Sequence, residues 1–430
     1  GVISKAVYLE AADWDKEDCS VFLRSGASQA VAPQLAAGVK VSLPTVTIDG
    51  KELKSRPDIG SYIIDQLGIR HSLVNGKKIV YVDKLTNDCG DGTSWATPTR
   101  FMQSAIDYLA ANGGGQVWVK EGVYFPNVSG FSLAEPQTYS IGMRSGVEVY
   151  GGFPQEIASP TMDDRNPTIF RTVLSGDIGK QNDYSDNSYH LVVFDTIVKS
   201  AAVLDGFTLT NANGNTDQEE HGGAIVVLSP FAEIRNCILE NNKARNGAAI
   251  WSNRHVNMLN CVINNNEVTE DNAAAMFLAP GSELMNLTIV LNKGIGVDLQ
   301  SGKITNTVLW GNTGNLKGGG LYDDVQAKGS PTFICSALSN LITDNVYLSK
   351  NPTGENAPNF INPTLQAGVI TGSYGTLLGG PAIFEPTCIS ALVQKANTAP
   401  SADITGKKIK NQTIVLKFDI GAYHNTCLPV

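Results

Sequence analysis

Apolar and polar positions along the chain mostly alternate over short stretches. QVWVKEGVYF (116–125), SGVEVYGGF (145–153), RTVLSGD (171–177), HLVVFD (190–195) and AAVLDGFTLT (201–210) each read as short β segments separated only by turns. One stretch departs from this rule. In TPTRFMQSAIDYLAAN (97–112), Phe101, Ala105, Ile106 and Leu109 form an apolar stripe at helical spacing. Thr97 is placed to cap it, Pro98 suits the first helical position, and Asn112-Gly113 ends it, which predicts a helix over 97–112. Before residue 79 the pattern differs. SLPTVTIDGKEL (42–53) has the Asp-Gly signal of a hairpin, and PDIGSYIIDQLGI (57–69) suits a short helix, so 1–78 is expected to be a small appended α+β module.

The pattern also repeats. NCIL, NCVI, NLTI and NTVL begin at Asn236, Asn260, Asn286 and Asn306, at intervals of 24, 26 and 20 residues, and a second asparagine follows each at Asn242, Asn266, Asn292 and Asn312. A ladder of small residues runs in phase: GGAI (222–225), GAAI (247–250), AAAM (273–276), GIGV (294–297) and GGGL (318–321). A period in the twenties built of short strands, without a helix in each unit, predicts the coils of a parallel β-helix. Coils about 4.8 Å apart would stack equivalent residues directly. Stacked asparagines can then bond to one another and to turn backbone, while the small residues mark close approach. The expected architecture is all-β: a right-handed parallel β-helix over 79–350 with capping helix 97–112. Residues 351–430 are expected to be its closing segment.

YVDKLTNDCGDGTSWATPTRFMQSAIDYLAANGGGQVWVKEGVYF (81–125) resembles the opening of bacterial right-handed parallel β-helix proteins of the pectate-lyase-like superfamily. The GGAI steps resemble polymorphic outer-membrane-protein repeats. NAPNFINP (356–363), ADITGKK (402–408) and FDIGAYH (418–424) are similar to the end of choice-of-anchor surface proteins, with His424 where an acid is usual. The resemblance spans about 79–430. It implies an exported protein at the outer-membrane cell surface of a Gram-negative bacterium, or outside the cell, of an adhesin-like kind. The superfamily also includes polysaccharide lyases and glycoside hydrolases.

Composition narrows the function. A net charge of −9 and a pI near 5.1 speak against a nucleic-acid partner. No apolar run is long enough to span a membrane, and no charged-then-apolar leader opens the chain. Seven widely spread cysteines without a C-x-x-C pair argue against a zinc site and against a disulfide framework. Cys237 and Cys261, one coil apart, are expected as a buried reduced stack. No metal or other cofactor is expected for a binding protein. A lyase would need Ca²⁺ held by carboxylates and an Arg or Lys base.

Asp163-Asp164 and Asp323-Asp324 lack the G-H-G and R-I-K partners of polygalacturonase-like hydrolases. Materials for a lyase site are Asp183, Asp186, Glu219, Glu220, Arg245 and Arg254. Candidate ligand-binding residues are Glu219, Glu220 and His221 in the loop that lengthens one coil, the basic turns at Arg245 and at Arg254-His255, and Trp251 as a sugar platform. Against each stands a plainer reading: charged loops and turns on a solenoid are ordinarily just solvated. His190 reads as structural, and Trp310 divides evenly between core and surface. The leading expectation is a monomeric, non-catalytic adhesin-like protein whose partner is a polysaccharide or surface glycoprotein. The alternatives are a lyase or hydrolase of an acidic polysaccharide, or a structural spacer.

Overall fold

The computed structural model describes residues 69–313 apart from 87–89, 127–135, 182, 216–220, 300 and 306, together with short strands between 325 and 370. The hairpin expected at 42–53, most of the helix expected at 57–69 and most of the segment 351–430 lie outside the described residues. So do Asn306, Asp323-Asp324 and the GGGL step.

Three long sheets organise the chain. The first contains β1 (Ser72–Val74), β2 (Lys77–Val82), β3 (Gly115–Lys120), β6 (Val147–Phe153), β9 (Ala202–Asp205), β13 (Ala232–Arg235), β17 (Asn257–Leu259), β21 (Ser282–Met285), β24 (Gly302–Thr305) and β27 (Thr332–Ile334). The second contains β4 (Gly122–Tyr124), β7 (Thr172–Ser175), β10 (Phe207–Thr210), β14 (Ile238–Glu240), β18 (Val262–Asn264), β22 (Thr288–Val290), β25 (Val308–Trp310) and β28 (Ala337–Leu338). The third contains β5 (Ile141–Gly142), β8 (Val192–Phe194), β12 (Ile225–Val227), β16 (Ile250–Ser252), β20 (Ala274–Leu278), β23 (Ile295–Leu299) and β26 (Val325–Gln326). Between the second and third, β11 (Asn213–Gly214), β15 (Lys243–Ala244) and β19 (Glu267–Val268) form a narrow fourth sheet. A separate antiparallel pair joins β29 (Leu365–Gln366) to β30 (Val369–Ile370).

From β3 onward the chain visits first, second and third sheets in the same order at every repeat. Neighbouring strands within the three long sheets pair in parallel; the antiparallel β1–β2 pair is the exception. This is an all-β, mostly parallel arrangement, consistent with a β-helix. The register is the one the repeat predicts: Ile225 opposes Ile250, Ile250 opposes Met276, and Met276 opposes Val297. GGAI, GAAI, AAAM and GIGV are therefore one ladder. A Cβ at Gly223 would meet the Ala248 carbonyl at 2.2 Å, which is why that rung stays small.

The asparagines close the turns. Asn236, Asn260 and Asn286 have φ near +55°, a left-handed conformation that Asn tolerates better than most residues, and Gly206 holds the same place one coil earlier. Asn260 Nδ2 donates to Asn236 Oδ1 at 3.1 Å, and Asn286 Nδ2 to Asn260 Oδ1 at 3.1 Å. At the second corner, Asn242 donates to Asn266, Asn266 to Asn292, and Asn292 to Asn312, at 3.0, 2.9 and 2.8 Å. Each of the four also donates to a carbonyl of the coil before it: Leu209, Leu239, Ile263 and Ile289. All four are at most 1% exposed, so they are internal joinery and not a binding surface.

Inward residues of the three sheets, including Leu204, Leu239, Ile250, Ile263 and Ile289, build one continuous core. Cys237 and Cys261 belong to it as free, buried thiols, directed at the carbonyls of Arg235 and Leu259. Burial pushes the Cys261 thiol well above its ordinary pKa. Ile69 also sits in this core, and β1 pairs with β2, so the chain joins the coil before residue 79.

The helix differs from its expected bounds. It runs as α1, Met102–Ala111, capped by Phe101 without a side-chain bond. Thr97 is not a cap, because its hydroxyl donates to Asp91, and Thr99 is bound through its backbone to Tyr81 and Asp83. Those bonds hold 97–100 extended beside β2. Three residues of the expected stripe, Ala105, Ile106 and Leu109, enter the core against β2 and β3, joined by Met102; Phe101 is buried at the cap but outside that core cluster, and Pro98 precedes the helix. Trp95 of the GTSW stretch packs edge-on to Tyr81 and donates its Nε1–H to Pro160. Among the described residues, no helix is long and apolar enough to cross a membrane.

Candidate functional site

Residues that break the repeat gather around the fourth sheet and its corner with the third. Asn213, Lys243 and Glu267 stand in register on β11, β15 and β19, and a bridge continues the row to Lys293. Lys243 Nζ and Lys293 Nζ lie 3.3 and 3.0 Å from the same oxygen, Glu267 Oε1. Burial pushes the Glu267 carboxyl up, but the hydrogen bond from Lys293 and the charges of both lysines outweigh it, so its pKa lies below the usual range. Two ammonium groups thus share one carboxylate, and Lys293 is 65% exposed. The row is a net positive locus on an acidic chain. Beside it, Tyr184 donates to Asn211 Oδ1 and the Asn241 carbonyl, and burial, with the charges of Glu267 and Asp177, pushes its phenol up to about 12.

Around the corner runs an aromatic row. His221 is bridged to Asn246, and its ring lies parallel to Trp251, with centroids 5.5 Å apart; Trp251 is in turn parallel to Phe277, its register partner, at 6.2 Å. Each face of Trp251 is therefore turned to another ring. The stack offers its edge to solvent, a different surface from the open platform that a sugar ring would lie on.

The structure brings His221 and Trp251 together but separates the basic candidates. Half-buried Arg245 lies on the turn entering β16, two residues beyond Lys243; exposed Arg254 and His255 lie on the turn leaving it. Arg254 Nη1 donates to the Asn253 carbonyl at 3.2 Å. Glu219 and Glu220 lie outside the described residues, as does the side chain of Trp310.

The remaining acids have local work. Asp183 accepts from the backbone and hydroxyl of Ser185, whose hydroxyl bond is the main cause of its lowered pKa, and Asp186 accepts from the Lys180 backbone at 2.7 Å. Asp164 closes a turn with Thr161. Buried Arg165 and half-buried Arg171 are tied to Asp205 and Glu240. His190 Nδ1 is 2.5 Å from the Gly222 carbonyl, a structural contact as expected. Among the described residues, no three His, Cys, Asp or Glu side chains gather as a cation site.

Sequence reasoning missed Lys243, Glu267, Lys293 and Phe277. Their spacing carried the signal: Lys243, Glu267 and Lys293 are separated by 24 and 26 residues, as are Asn242, Asn266 and Asn292.

No family model matches the chain, and no curated protein matches it. Among solved structures, it is similar to pectate lyase Pel9A at a TM-score of 0.40 and 16% identity, over 83% of this chain and 97% of that one. The parallel coil is given by this chain's own strand order and register.

Proposed function

We propose that the chain is a non-catalytic, adhesin-like surface protein, built as a right-handed parallel β-helix, that binds an extended acidic glycan along its coil axis. The observation that carries this reading is the Lys243–Glu267–Lys293 row. Its two ammonium groups keep unused donors toward solvent and outnumber the single carboxylate between them. Groups repeating about every 4.8 Å suit a polymer lying along the axis. Arg245 and the edge of the His221–Trp251–Phe277 stack extend the same surface around the corner. An elimination or hydrolysis site instead requires an acid and a base converging on one bond. The row lays its charges out in a line.

The test presents pectins, alginates, glycosaminoglycans and mucin glycans to the full chain, following retention and cleavage together. Retention of a polyanion without cleavage, lost in the double variant Lys243→Gln/Lys293→Gln, is the expected result. Unsaturated products, abolished by Arg245→Ala or Arg254→Ala, would replace this reading with a polysaccharide lyase. No retention of any glycan would favour a spacer.

A further inference from the structure

Resting on the acidic-glycan reading, we infer that the Lys243–Glu267–Lys293 row selects a glycan whose anionic groups fall on every second sugar and rejects one charged at every sugar. The row extends one rung past each lysine. Asn213 is in register with Lys243, Lys243 with Glu267, and a bridge joins Glu267 to Lys293. Thr313 continues it: its N–H donates to the Asn292 carbonyl as that of Lys293 does to Asn266. In order along the axis the side chains are uncharged, cationic, anionic, cationic and uncharged. Cations therefore stand on alternate rungs, two coil steps or about 10 Å apart.

An extended chain of linked pyranoses advances by about one coil step per sugar, so a glycan along the axis sets successive sugars over successive rungs. Acids on every second sugar then meet Lys243 and Lys293, while the sugar between them lies over Glu267. The Glu267 side chain is 37% exposed, so that sugar meets its carboxylate directly. An uncharged sugar brings hydroxyl donors, which the carboxylate accepts; an acidic one brings a second negative charge to the same place. Glu267 also takes the inner side of both ammonium groups, because Lys243 Nζ and Lys293 Nζ share its Oε1 at 3.3 and 3.0 Å. Their remaining donors face away from it, which holds incoming anions apart. Beyond Lys243, the Asn213 rung is bordered by Tyr184, whose carbonyl accepts from Asn213 Nδ2 at 2.7 Å and whose ring is 37% exposed. That ring offers apolar surface to an uncharged sugar. A repelling group set between two attracting ones thus discriminates by charge spacing and not by charge alone.

The test titrates two hexasaccharides into the full chain by calorimetry: hyaluronan, with a carboxylate on every second sugar, and oligogalacturonate, with one on each. Hyaluronan carries half the charge, so unspecific attraction favours oligogalacturonate. The expected result is the reverse. Hyaluronan binds about tenfold more tightly, the effect of one like-charge contact, and Glu267→Gln narrows the gap by strengthening oligogalacturonate binding. Equal or tighter binding of oligogalacturonate to the unchanged chain would overturn the selection while leaving the glycan reading standing, as would a gap that Glu267→Gln leaves unaltered. Binding of neither hexasaccharide would also overturn it, and the glycan reading falls too only where the wider panel of glycans is not retained. The comparison on the unchanged chain decides even if Glu267→Gln does not fold.

Discussion

At the residue scale, the asparagine corners do what the repeat of NCIL and NCVI, each followed by a second asparagine at Asn242 and Asn266, foretold. Asn266 shows why they are buried. Its amide donates to Leu239, Asn264 and Asn292, while its oxygen accepts from the backbone and side chain of Asn242. Asn266→Ala leaves buried groups unpaired and should lower stability by about 3 kcal/mol in denaturant unfolding. A loss within a few tenths would mean that water replaces the ladder. The same corner contains an anomaly. Asn211, Asn241, Asn265 and Gly311 take the left-handed turn at the exit from the second sheet, and Leu291 takes it at φ +56° in the coil between. A left-handed Leu costs about 1–2 kcal/mol, so Leu291→Asn should raise the unfolding free energy by about 1 kcal/mol. Cys237 and Cys261 should resist alkylation until the coil unfolds, because both are fully buried and burial disfavours the Cys261 thiolate.

At the element scale, parallel strands in register explain what could be read in advance and what could not. Stacking places like residues one coil apart, so period, turns and small-residue ladder were legible as letters repeated every 20 to 26 positions. A two-residue strand such as β15 has no periodicity of its own, and an ion pair between coils joins unlike letters, so Lys243 and Glu267 were marked only by their place after Asn242 and Asn266 and by no repeated letter. The helix start was misplaced for a related reason: Thr97 and Thr99 are good capping residues locally, but bonds to Asp91 and β2 claim them. The charged row makes a pH prediction. Because the folded pKa of Glu267 is depressed, its contribution is fully present above the unfolded value of about 4.3 and is lost as pH falls through the folded value. Glu267→Gln should therefore be less stable than the unchanged chain at neutral pH, and the difference should close in acid. A deficit unchanged down to pH 3 would mean that the pairing is energetically silent.

At the scale of the whole molecule, the coil converts a local pattern into a long surface on which each corner repeats its chemistry at a fixed rise. The sequence pointed to the loop at 212–221 and the turns at Arg245 and Arg254 as the places where the repeat breaks. The structure shifts the emphasis to the neighbouring fourth sheet. Trp251, which reads as a platform in isolation, stands between two rings because Phe277 follows it by one coil and His221 lies on its other face. The same stacking that builds the scaffold thus decides which chemistry remains available outside it.

The central claim is that a glycan lies along the axis and touches successive rungs. Titrating acidic oligosaccharides of increasing length into the full chain tests this directly. Affinity should rise with length until the oligomer spans Lys243 to Lys293, about 10 Å at two coil steps, then level off, and should fall with salt. A monosaccharide that binds as tightly as the oligomers, or oligomers that are cleaved during the titration, would contradict it.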